Sequence, residues 1–159
     1  MRSYKFRAWD VIPYYDSEDK KYEMIYFNLE ETRIIENLSL ESIVMQSTGL
    51  KDKNGKEIYE GDILIQNNNK ADLVQVCFGE FGIRSLETGI VIDKSVGWYL
   101  KVLPTDAISK LAPFCYDMPI NNYWIERLST KVIGNIYENP ELLEEIRWNT
   151  LNLKIHTVQ

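Results

Sequence analysis

Five oxygen-bearing side chains crowd one short stretch of the sequence, Asp52, Asn54, Glu57, Glu60 and Asp62, and such a set is what a hard cation would use. An EF-hand loop starting at Asp52 would need glycine at its sixth position and a bidentate glutamate at its twelfth. Those positions hold Glu57 and Ile63, so the calcium register fails and no metal is expected. Gly49, Asn54, Gly55 and Gly61 instead read as structural turn residues, with Asn54-Gly55 supplying the positive φ angles of a tight hairpin.

A second constellation is Lys5, Arg7 and Trp9, which share one face of an alternating strand. Bases could stack on the aromatic ring while the cations meet phosphate, or the face could be the inner side of a covered sheet. It is the candidate partner-binding face. Nucleophilic catalysis has little to work with. Cys77 and Cys115 form no CxxC pair, His156 is the one histidine, and no GxSxG, P-loop, GxGxxG or HExxH occurs. Neither an enzyme nor a cofactor is expected.

With 18 Lys+Arg against 24 Asp+Glu, the formal charge is -6, which lacks the cationic excess that phosphate-backbone binding usually draws on. Nucleic acid is therefore a possible but unfavoured partner. The first ten residues hold no apolar signal-peptide core, and no window approaches 18 uninterrupted apolar residues. A reduced, cytoplasmic setting without membrane contact is expected.

The elements that must position these residues are mostly strands. Alternation marks residues 4 to 9, 22 to 27, 63 to 66 and 74 to 78, and then 90 to 92, 98 to 102 and 131 to 137. Gly79, Gly82 and Gly89 punctuate the middle of the chain. Gly134 suggests a bulge or a close backbone approach in the last of these strands. Residues 30 to 42 are ambiguous between helix and strand, and 118 to 130 have no clear assignment. Asn139-Pro140-Glu141 opens a helix, and Leu151, Leu153 and Ile155 then alternate with polar residues as a terminal strand. One domain is expected: a mostly β part over 1–138 and a helix-and-strand appendage over 139–159. The exposed edge and apolar face of that strand make Leu151, Leu153 and Ile155 the expected contacts of a homo-oligomer.

Three segments carry a family resemblance: Lys5 to Asp10 (KFRAWD), Thr48 to Ile63 (TGLKDKNGKEIYEGDI), and Val132 to Leu143 (VIGNIYENPELL). Together they closely resemble the signature segments of the YopX family, phage and prophage proteins of Gram-positive bacteria. The resemblance implies a mainly β fold containing a small SH3-like barrel, and no established activity. The expected function is that of a non-enzymatic, phage- or prophage-encoded protein in the bacterial host cytoplasm that binds a protein partner, a class that includes host-takeover and anti-defence inhibitors. A nucleic-acid-binding accessory protein of phage replication is the alternative.

Overall fold

The computed structural model describes residues 4–11, 20–85, 87–103 and 116–143. Alternation builds its first sheet. β1 (Lys5–Val11) lies between β2 (Tyr22–Asn28) and β3 (Ile43–Lys51), antiparallel to both, and β4 (Glu57–Tyr59) pairs with the end of β3. The ambiguous stretch before β3 contains a short helix, α1 (Thr32–Asn37).

The second sheet has five strands. β5 (Asp62–Gln66) runs between β6 (Asn69–Arg84) and β9 (Lys131–Asn135). β7 (Val91–Val102) flanks β6 on its other side and carries the two-residue β8 (Met118–Pro119) at its outer edge. The result is the mainly β fold expected from the sequence, with a sheet that curls into a half-barrel. Alternate residues of β6 and β7 face inward. Val74, Val76 and Leu100 join Ile58, Leu64, Ile120 and Ile125 in the main buried cluster. A second cluster of Ile63, Leu73 and Leu103 is covered by Ile136, Leu142 and Leu143.

Local chemistry explains where the expectations need correction. The tight two-residue turn is Asn67-Asn68, with φ of 52° and 55°, between paired Gln66 and Asn69. At Asn54-Gly55 only Gly55 has positive φ, +84°. That turn is closed from a distance by Asp52, whose Oδ1 accepts the amides of Asn54 and Lys56, both at 2.8 Å. Gly79 and Gly82 do not break the chain into short strands. Gly79 sits directly opposite Gly97, so the ladder between β6 and β7 continues through it into a long two-stranded ribbon.

Residues 118 to 130 hold β8 and a helix, α2 (Asn122–Arg127), capped by the Asn121 side chain, which accepts the Trp124 amide at 3.0 Å. Around Gly134 both expected features occur. The register slips by one residue between Ile63 and Leu64, and the Asn139 carboxamide packs where a Cβ would stand. Of the appendage, the structure describes one helical turn, whose Leu142 and Leu143 pack on the second cluster. The rest of that helix and the strand of Leu151, Leu153 and Ile155 lie outside the described residues.

Candidate interaction site

Lys5, Arg7 and Trp9 do project from one face of β1, where Arg7 is buried, Trp9 half-buried and Lys5 exposed, and each is engaged by other side chains. The Arg7 guanidinium is 2.6 Å from Asp62 Oδ1, with both side chains almost wholly buried, and it donates to the Glu60 carbonyl at 2.9 Å. It also lies over the Tyr59 ring, 5.0 Å from the centroid. Lys5 pairs with Glu57, which in turn accepts the Tyr59 hydroxyl. Trp9 stacks with Tyr22 and with Tyr137, with centroids 5.7 Å and 6.5 Å away.

Asp52 and Asp62 are similarly engaged. The second oxygen of Asp52 accepts the Val132 amide at 3.0 Å, and the neighbouring Lys53 amide donates to the Thr130 carbonyl. Asp62 Oδ2 accepts the Tyr59 amide at 2.8 Å. Burial pushes the Asp62 carboxyl up from the usual carboxylate range, against the pull of Arg7. Burial, reinforced by Glu57, raises the Tyr59 phenol far above its ordinary value, so it remains a proton donor at neutral pH. Gly49, Gly55 and Gly61 all have φ near +80°, consistent with structural turn positions.

Among the described residues a cleft opens beside Glu60-Gly61. The Glu60 amide donates to the Gln46 carbonyl on β3, and the next amide, Gly61, donates to the Val76 carbonyl on β6. The two sheets are tied together at this point and diverge beyond it. β3 pairs with β1 over residues 43 to 46, but its pairing with β4 starts only at Ser47. On the β5 side, β6 is paired only as far as Gln75. Two strand edges thus face a cavity of about 280 Å³, lined by Ile43, Val44, Phe78 and Ile136 together with the more polar Cys77 and Glu60. Burial raises the Cys77 thiol, which makes it a poor nucleophile. Sequence reading missed this cleft, because its two main walls, Ile43 to Met45 and Gln75 to Phe78, come from segments about thirty residues apart that lie outside the signature segments.

A family model described as "YopX protein" matches residues 5–144. The chain belongs to the YopX family. Among solved structures it is similar to that titled "Crystal structure of protein EF1440 from Enterococcus faecalis", at 27% identity and a TM-score of 0.45, covering 88% of this chain and 97% of that one. No curated protein matches. The three segments that resemble the YopX signature converge in space. Arg7 meets Asp62, Asp52 meets Val132, Trp9 meets Tyr137, and the Ile136 amide donates to the Gly61 carbonyl. In this YopX-family chain the signature builds the joint between the sheets, while most of the cleft wall and the whole β6–β7 ribbon lie outside it. No helix among the described residues is long and apolar enough to cross a membrane.

Proposed function

We propose that this YopX-family chain is a phage- or prophage-encoded cytoplasmic protein that acts by binding another protein rather than by turning over a substrate, and that it associates with copies of itself. The observation that carries this reading is the distribution of exposed apolar side chains. Six of the sixteen large exposed hydrophobics among the described residues, Phe78, Ile83, Ile90, Val91, Ile92 and Val96, sit on β6, β7 and the turn between them. Ile43 and Val44 add two more across the cleft. Monomers seldom leave so many apolar side chains of one ribbon in water, and protein interfaces are built from apolar surface with a polar rim. The Lys94–Glu80 ion pair on the same ribbon supplies part of that rim.

Sedimentation velocity on the intact chain, alongside Val96→Lys, tests the reading. Val96 is 69% exposed, so the substitution leaves the fold intact. A multimer weakened by Val96→Lys is expected. A chain that is monomeric at micromolar concentration and captures only nuclease-sensitive material from host cells would move nucleic-acid binding into first place.

A further inference from the structure

We infer that the cleft between β3 and β6 receives the segment Leu151–Ile155 of a second copy of this chain as an added strand. The inference rests on the self-association proposed above and names the surface that would carry it. β6 offers the longer edge. Residues 77 to 84 pair with β7 on one side, and no described strand pairs with them on the other. A long unpaired edge beside apolar side chains is a template for strand addition. At about 280 Å³ the cavity is smaller than most small-molecule sites and suits a few side chains of a passing strand.

The segment has the matching pattern. Leu151, Leu153 and Ile155 would fall on one face of a strand and Asn152 and Lys154 on the other. Its charge is also complementary. Residues 147 to 159 contain Arg147 and Lys154 and neither Asp nor Glu, whereas the chain as a whole carries -6 and Glu60 lines the cleft. Position fits as well. The described chain reaches Leu143, which packs in the same cluster as Ile136, and Ile136 also lines the cleft. The seven residues from 144 to 150 span up to about 25 Å when extended, enough to cross to a neighbour. Reciprocal exchange between two copies is a closed two-fold arrangement that fills both β6 edges at once and so carries the self-association proposed above.

Cys77 in the cleft wall provides the test. In full-length chain carrying Cys115→Ser, cysteine is introduced by Leu151→Cys, Leu153→Cys or Ile155→Cys, one at a time, followed by mild oxidation. A disulfide requires Cα atoms within about 7 Å, so only a seated segment can form it. The expected result is a covalent dimer on a non-reducing gel for at least one of the three, abolished by Cys77→Ser. A cross-link within a single chain, or none at any position, overturns the inference. Sedimentation of the unmodified chain separates the two levels: a multimer without the cross-link refutes this cleft and leaves self-association standing, whereas a monomer refutes both.

Discussion

Arg7 and Asp62 form an ion pair across the joint between the two sheets, 2.6 Å apart, with side-chain exposures of 3% and 1%. Removing one partner would strand the other as a buried, unpaired charge. Arg7→Leu is therefore expected to destabilise the fold by about 3 to 5 kcal/mol, and Arg7→Leu with Asp62→Leu to recover most of that loss. Urea unfolding of the three proteins checks it. A double variant no more stable than the single one would mean that the pair's worth lies in its hydrogen bonds to Tyr59 and Glu60 rather than in charge balance.

Gly55 has φ +84° and open space where a Cβ would stand, so any cost of substitution is backbone strain alone. Gly55→Val should lower stability by about 1 to 3 kcal/mol. Gly55→Asn should cost much less, because asparagine tolerates the left-handed region. Equal urea midpoints for the two variants would sink the argument.

Asp52 holds three backbone amides, those of Asn54, Lys56 and Val132, and so resembles an internal cap rather than a cation ligand. Asp52→Ala should cost at least about 1.5 to 3 kcal/mol, the worth of a single hydrogen bond to a charged group. Calorimetric titration of the intact chain with calcium, magnesium or manganese should show nothing tighter than about millimolar. A stoichiometric, tighter response lost in Glu57→Ala would establish a metal role.

Two carboxyls give the acid limb of stability a definite sign. Asp10 is raised by burial but drawn further down by hydrogen bonds from Ser39 and Ser42 and from the Ser39 and Val11 amides, ending below its ordinary value. Glu57 is held low first by Lys5, against burial and with help from the Tyr59 hydroxyl. Both folded pKa values lie below the unfolded ones, near 4. Their stabilisation is thus complete above about pH 4 and disappears as pH falls through the folded values. The loss of urea midpoint between pH 7 and pH 3 should be smaller for Asp10→Asn with Glu57→Gln than for the parent. An identical loss would assign the acid limb to other groups.

Nucleic acid should bind weakly and without sequence preference. Net charge is -6, Arg7 is paired with Asp62, and Trp9 already stacks with Tyr22 and Tyr137. Lys5→Ala is the informative variant, since Lys5 is the most exposed cation of that strand face. Submicromolar affinity for DNA near physiological salt, lost in Lys5→Ala, would restore this face as a platform.

What could be read from the sequence was whatever is local. The alternation of β1 placed Lys5, Arg7 and Trp9 on one face, and Gly134 announced both its bulge and its close neighbour. The side of the sheet that would be covered was not legible, because Asp62 reaches Arg7 through pairing that periodicity does not encode. The turn signals were legible at Asn67 to Asn69 and at Gly55, but Asn54 does not take the positive φ expected of it, and the glycine pair at 79 and 97 permits a continuous ribbon because each faces the other. Asn121 was a readable cap that went unused, since no apolar periodicity follows it over the six residues of α2.

The bond from Val132 to Asp52 and the pairing of β9 with β5 also govern the order in which the protein can fold as it is made. When Asp62 leaves the synthetic machinery, both β9, one ladder partner of its strand, and the amide that completes the Asp52 turn are still about 70 residues from emerging. At about 5 to 20 residues per second, that leaves the first sheet with an unfinished joint for about 4 to 14 s. During that interval β1 to β4 can pair among themselves, but β5 has its β6 neighbour and an open flank. The nascent chain therefore passes through a stage in which a second strand edge, later covered by β9, is available to any passing strand.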